Sequence, residues 1–312
     1  MKKRATGWIV IYIMLGILVC SAPALADYPE RPIQLMAGFQ AGGNVDAVAR
    51  ILAKSSSSLL GQPVVVENKP GAGGGVASTT LKNAKPDGYT LCINMSTAFT
   101  FIPGDISYSV DDFIYIAAAG KAQEAFVSSS EAPWQDWKAM IAEAKKRNMT
   151  YASMIPLDKI FTRAIAKKEG VQFSAIPTKG GAEIITSVLG KHSDFGFSGG
   201  LHYSYAKAGQ ITVLAGLGAE RLAEFPETPT LKELGYDIVF ENYVVITAPK
   251  GVPDAVIQKL SAAFAKAIQD PEYVNMMKNN VHWVPLYLNP AQTTTAIREM
   301  SASFKKMMEE QK

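Results

Sequence analysis

The 312 residues carry 31 basic and 28 acidic side chains, 48% apolar residues, three histidines and two cysteines. The three surplus basic residues are Lys2, Lys3 and Arg4. The rest of the chain is therefore charge-balanced, which removes the bulk electrostatic argument for nucleic acid or an anionic membrane surface as partner. A chain of this length and apolar content can bury a large core divided between two domains.

In chain order, Lys2-Lys3-Arg4 precede an apolar run from about Trp8 to Val19, and Ala24-Leu25-Ala26 offers a small-x-small cleavage pattern. Residues 1–26 read as a secretory signal peptide cleaved after Ala26, with an apolar part too short for a membrane span. A lipoprotein anchor at Cys20 would need a small residue where Val19 stands. Beyond the signal only Cys92 is left, so no internal disulfide is expected, and Cys92 reads as a buried residue of the strand Thr90–Asn94.

The first strand, from Ile33 to Gly38, runs through a loop containing Gly42-Gly43 into a helix. Asn44 or Asp46 is expected to cap that helix, with Val48, Ile51, Leu52 and Leu59 on its apolar face and Ser55–Ser58 toward solvent. Strand, glycine turn and helix start form an anion cradle: first-turn amides lack internal partners, the helix dipole is positive there, and glycine admits a ligand close to the backbone. The loop lacks the spacing of a phosphate-binding P-loop, so a carboxylate is the expected anion.

Strands and helices then alternate. Val64–Glu67 leads through Gly71–Gly75 to a helix from Val76, followed by the strands Thr90–Asn94 and Phe113–Ala119. A helix over Trp134–Arg147 carries Trp134 and Trp137 as core residues. Thr150–Ser153, a helix over Leu157–Glu169, Phe173–Ile176, a helix over Ala182–Leu189, Phe195–Phe197, a helix from Leu201 and Thr212–Ala215 continue the pattern. Phe240–Ala248 and helices at Pro253–Ile268 and Pro290–Glu310 complete it. This alternation predicts an α/β protein with parallel sheets covered by helices. Ligands in such folds collect where loops leave the carboxyl ends of strands. Those richest in small residues are Phe39–Asn44, Lys69–Gly75, Met95–Thr97, Lys179–Ala182 and Ser198–Gly200.

Several blocks carry a family resemblance: Tyr28-Pro-Glu-Arg-Pro-Ile33, Ala41-Gly-Gly-Asn-Val-Asp46 with Arg50, and Gly61-Gln-Pro-Val-Val-Val-Glu-Asn-Lys-Pro-Gly-Ala-Gly-Gly74. Further along come Lys85-Pro-Asp-Gly-Tyr-Thr-Leu91, Lys179-Gly-Gly-Ala182, Glu227-Thr-Pro-Thr-Leu-Lys-Glu-Leu-Gly235 and Ala248-Pro-Lys-Gly-Val-Pro253. In this order they resemble the Bug-type periplasmic solute-binding proteins of tripartite tricarboxylate transporters. The resemblance implies a two-lobed architecture, two mixed sheets flanked by helices with the ligand cleft between them. Residues 27–126 plus 248–312 would form one lobe and 127–247 the other. It also implies a small organic acid as ligand, membrane permease subunits as partners, no cofactor and a mostly monomeric mature protein.

On this reading the ligand-binding residues are Phe39, Ala41, Gly42, Gly43, Asn44, Ser96, Thr97, Ser153, Met154, Lys179, Gly180, Gly181, Ala182 and Ser198. Asp46 and Arg50 match family positions and read as structural, Asp46 as a cap and Arg50 paired with a carboxylate outside the cleft. Departures from the family matter as well. Ser153–Asp158 lacks the usual glycine, so Met154 and Ile155 would narrow that wall, and Lys179 replaces an aromatic residue, placing a positive charge in the cleft.

Gly196-Phe-Ser-Gly-Gly200 also spells the nucleophile-elbow pattern of a secreted serine hydrolase, with Asp237 or Asp254 and then His282 in that fold's order. This alternative requires a histidine within hydrogen-bond reach of Ser198. Gly71–Gly75 lacks the third glycine of a dinucleotide fingerprint, since Val76 stands there. His192, His202 and His282 have no metal-ligand spacing.

Overall fold

The structure, a computed structural model, describes residues 28–101, 107–153, 155–178 and 180–309. The signal-peptide reading of residues 1–26 therefore lies outside the described residues. Among them, no helix is long and apolar enough to cross a membrane.

Eleven strands form two mixed sheets among the described residues. The first contains β1 (Ile33–Ala37), β2 (Val64–Asn68), β3 (Thr90–Met95), β4 (Phe113–Lys121), β10 (Tyr243–Pro249) and β11 (Val284–Leu288), in the order β11-β4-β10-β3-β1-β2. The second contains β5 (Ala125–Ser129), β6 (Met149–Ser153), β7 (Phe173–Pro177), β8 (Phe195–Ser198) and β9 (Ile211–Gly216), in the order β7-β6-β8-β5-β9. The helices are α1 (Asn44–Leu60), α2 (Gly75–Lys82), α3 (Thr97–Thr100), α4 (Trp137–Ala144), α5 (Pro156–Glu169), α6 (Gly181–Leu189), α7 (His202–Lys207), α8 (Asp254–Gln269), α9 (Pro271–Met276) and α10 (Pro290–Glu309).

The βα alternation predicts parallel pairing, and this holds only for β1 with β2 and β3 and for β6 with β7 and β8. The remaining pairs are antiparallel because the chain changes sheets twice. It leaves the first sheet after β4 through Ala122-Gln123-Glu124, entering β5 beside the end of β8. It returns through residues 217–242 into β10, which runs against both β3 and β4. Tyr243–Thr247 pair within the first sheet, so by strand pairing the second crossing ends at Asn242.

The first sheet buries Leu35, Ile93, Val244 and Ile246 against Val48, Leu52, Leu260 and Phe264 of α1 and α8 on one face. Met36, Cys92, Tyr115 and Val245 pack with Phe99 and Ile297 on the other. Phe126, Tyr151, Phe195 and Phe197 centre the second lobe. Helix α10 serves both lobes, since Ile297 belongs to the first core while Phe304 stacks near Phe240 of the second at 6.0 Å.

Three local expectations are corrected. Ser56 is fully buried and its Oγ donates to Leu52 O at 2.6 Å. Leu60 is buried in place of Leu59, because the helix must turn its last residue inward to enter β2. Trp134 precedes α4 and is not within it, because Asp136 takes the N-cap position and accepts from Ala139 N at 2.8 Å.

Candidate ligand-binding cleft

By strand direction, the carboxyl ends of β1, β2, β3 and β4 and those of β6, β7 and β8 lie toward the edges of the two sheets that the crossings join. After β1, Gly38 gives way to the half-buried Phe39 and the exposed Ala41, Gly42 and Gly43. Gly43, in extended conformation, is the N-cap of α1, with no side-chain cap. Asn44 is therefore the first helical residue and not the cap. The first intrahelical bond runs from Ala47 N to Gly43 O, leaving the amides of Asn44, Val45 and Asp46 without helix acceptors.

Asp46 reaches back rather than capping forward. Its Oδ2 accepts from Gly42 N at 2.9 Å and Arg50 Nε at 3.0 Å, and its Oδ1 accepts from Asn68 Nδ2 at 2.9 Å. Asn68 Nδ2 also donates to Phe39 O at 3.1 Å. Burial acts to raise the Asp46 carboxyl, but the bonds from Arg50, Gly42 and Asn68 outweigh it and hold the group below its ordinary range. The carboxylate that Arg50 pairs with is Asp46 itself. These two residues fasten the glycine loop to the end of β2.

A second fastening comes from Asn94, fully buried at the end of β3. It donates to Gly74 O at 2.9 Å and Ser78 Oγ at 3.2 Å, and its Oδ1 accepts from Met95 N. Its carboxamide fills the space that β-carbons of both Gly38 and Gly74 would occupy. Sequence reasoning passed over Asn94 as the end of a strand; a polar residue where strands disfavour one is the signal that could have found it.

The three serines all turn inward. Ser96 Oγ donates to Asn242 Oδ1 at 3.1 Å and accepts from Tyr243 N at 3.0 Å. Ser153 Oγ donates to Asp158 Oδ1 at 2.7 Å, and Asp158 also accepts from Ile155 N at the start of α5. Ser198 Oγ lies 3.1 Å from His202 Nδ1. Thr97, beside Ser96, is half-buried. In the second lobe Gly180 is the extended N-cap of α6, and Gly181 and Ala182 occupy its first turn, so their amides also lack helix acceptors. Met154 and Lys179 lie outside the described residues.

The Ser198–His202 contact is the geometry the hydrolase alternative asks for, with His202 in the place given to His282. Ser198 is the last strand residue of β8, paired with Ala125 and fully buried. It is not among the residues with positive φ, so the strained turn of an elbow is missing. His202 is buried and pushed down to about 4, by desolvation first and by the charge of His282 second. Among the described residues it bonds to no carboxylate. His282 Nδ1 instead donates to Lys278 O at 3.0 Å, and its ring stacks on Tyr203, ring centroids 3.8 Å apart. The pair is a clasp between β8 and α7.

Among the described residues no group of histidine, cysteine, aspartate or glutamate could hold a metal ion. Cavities of about 160 Å³ beside Tyr151 and Arg163, and about 630 Å³ between α5 and α10, lie away from the strand-end loops.

Residues 48–312 match the model of the tripartite tricarboxylate transporter family receptor, TctC. The chain belongs to that family. It is 36% identical over 291 residues to a Cupriavidus necator protein described as "UPF0065 protein in gbd 5'region", covering 89% of this chain and 87% of that one. It is 30% identical over 279 residues to BugT of Bordetella pertussis, covering 85% of each. A TctC solute binding protein from Polaromonas, solved without ligand, superposes with a TM-score of 0.77 at 28% identity, over 91% of this chain and 99% of that one. Two more distant structures share the fold: an R. palustris protein with adipate (TM-score 0.79, 21% identity, 90% and 97% covered) and MatC from Rhodopseudomonas palustris with bound malate (0.75, 20%, 90% and 99%). Two-lobed, mixed-sheet solute-binding architecture is thus the fold of this TctC-family chain.

Proposed function

We propose that this protein is an exported, periplasmic receptor that captures a small carboxylate-bearing organic acid without chemical change and delivers it to membrane subunits of a tripartite transporter. The observation that carries this reading is the first loop. Asp46, Asn68 and Asn94 fix it so that the free first-turn amides of α1 stand over an exposed Gly42-Gly43 approach. The hydroxyls of Ser96, Ser153 and Ser198 are already engaged, which favours backbone amides over these serines as donors to a carboxylate. The same role falls in the second lobe to Gly180, Gly181 and Ala182, with Phe39, Ala41, Asn44 and Thr97 as walls. Adipate and malate in the two distant neighbours fit that ligand class.

A thermal-shift panel of mono-, di- and tricarboxylates, including adipate and malate, tests this. A ligand that binds only the native state raises the melting temperature, so at least one acid should do so. A panel in which none does overturns the reading. Mass spectrometry of periplasmic extract should find the chain beginning at Asp27.

A further inference from the structure

The two crossings meet at a buried carboxyl group that the proposed amide site leaves out. Glu124 is the last residue of the first crossing and Asn242 the last of the second. Asn242 Nδ2 donates to Glu124 Oε1 at 2.9 Å, and Ser96 Oγ in turn donates to Asn242 Oδ1. Two backbone bonds flank this contact: Ala122 N to Asn242 O at 2.8 Å and Leu217 N to Glu124 O at 3.0 Å. Glu124 is 5% exposed, and its Oε2 has no hydrogen-bond partner among the described residues. That oxygen faces the loop after β8, where a β-carbon on Gly199 would stand 2.9 Å from it. Gly199 is tied across the lobes, its carbonyl accepting from Trp283 Nε1 at 3.1 Å.

The charged and titratable groups on the surrounding elements leave Glu124 uncompensated. Lys121, the last residue of β4, and Glu241, on the second crossing, pair with each other at 3.2 Å. On α7, His202 is taken up by Ser198, and ahead of β11 His282 stacks on Tyr203. Among the described residues no cation bonds to Glu124. A buried carboxylate with one oxygen unbonded and no counter-charge is unfavourable, so the neutral acid is preferred there.

We infer that Glu124 is a proton-sensitive hinge residue: the lobe arrangement seen here holds it neutral, and loss of its proton loosens the two crossings until Oε2 reaches water. This goes beyond the proposed function and rests on the lobes moving about their crossings, whatever the ligand. Burial moves the carboxyl from 4.5 up to about 7, against the opposing bond from Asn242. The group is therefore raised in this arrangement, which is fully favoured below pH 4.5 and loses that advantage as pH rises through 7. By linkage, these two values give the loosened population a gain of roughly 70-fold between pH 5 and pH 8.

Hydrogen exchange of wild type and Glu124→Gln, compared at matched pH, tests this, because intrinsic rates cancel in the ratio. At the Ala122 and Leu217 amides the wild-type to variant ratio should rise tens of fold from pH 5 to pH 8, while at Leu35 in β1 it stays flat. A flat ratio at the crossings, or an equal rise at Leu35, overturns the inference. Small-angle X-ray scattering of the unmodified protein provides a second arm that needs no variant. The radius of gyration should grow over the same interval, and an unchanged value counts equally against the hinge.

Discussion

Asn94 and Gly38 occupy each other's space: a β-carbon on Gly38 would stand 2.6 Å from both carboxamide heteroatoms of Asn94. Gly38 carries no positive φ, so glycine is needed there for room and not for backbone freedom. Gly74 meets the same side chain and adds φ of 95°.

Gly38→Ala should therefore destabilise the protein by about 1–3 kcal/mol through overpacking. Asn94→Ala should cost a similar amount by leaving Gly74 O and Met95 N unpaired. The double variant should be less damaging than the sum, because the smaller residue relieves the clash. Denaturant midpoints for the four proteins measure this coupling, and strict additivity would contradict it.

The Asp46 cluster should make the first loop acid-sensitive. A carboxyl held low in the folded state stabilises it above its unfolded pKa and loses that contribution as pH falls below about 4. Asp46→Asn should flatten the acid limb of a melting-temperature profile and reduce affinity for the acid found in the panel, because Gly42 N loses its charged acceptor. An unaltered acid limb would show that the cluster carries no net charge-linked stability.

If amides hold the ligand, side chains around them matter unequally. Asn44→Ala should change affinity by ~1 kcal/mol or less, the scale of one ordinary hydrogen bond. A bulky residue at Gly43, such as Gly43→Leu, should abolish binding by blocking the approach while leaving the fold intact. Calorimetric titration of both variants gives the comparison, and equal small effects would place the anchor elsewhere.

Trp283→Phe keeps the ring but removes the donor that reaches Gly199 O across the lobes. The expected loss is about 0.5–1.5 kcal/mol of affinity, seen mainly as faster ligand release in stopped-flow traces. An unchanged release rate would show that this bond does not help hold the lobes together.

Ser198→Ala should lower stability, since His202 loses its buried partner, yet leave ester turnover at the buffer background in both proteins. Turnover above background in wild type that vanishes in the variant would restore the hydrolase reading.

The first strand, its Gly42-Gly43 loop and the helix carrying Val48 and Leu52 are legible because apolar periodicity and loop glycines act locally. The antiparallel insertion of β10 between β3 and β4 is not, because its direction depends on a crossing that no local pattern encodes. The same distinction separates the site residues. Gly42 and Gly180 announce themselves by type, but Ser96 is bonded to Asn242, 146 positions away, and that engagement exists only once both crossings have formed. Glu124 lies in an unremarkable stretch, and its burial is a property of the junction rather than of its neighbours in sequence.

The position of β10 also sets an order of assembly. It is a central strand of the first sheet, bonded to β3 on one side and β4 on the other, and it is made after every strand of the second sheet. A nascent chain that has reached Asn242 holds all of the second sheet but only separated halves of the first. The domain begun first is thus finished last, and its closure waits on a contact between segments more than a hundred residues apart, a slow step for any chain. Until then β3 and β4 expose the edges that β10 will cover, and the first lobe remains open to unfolding, holding or transport by other machinery.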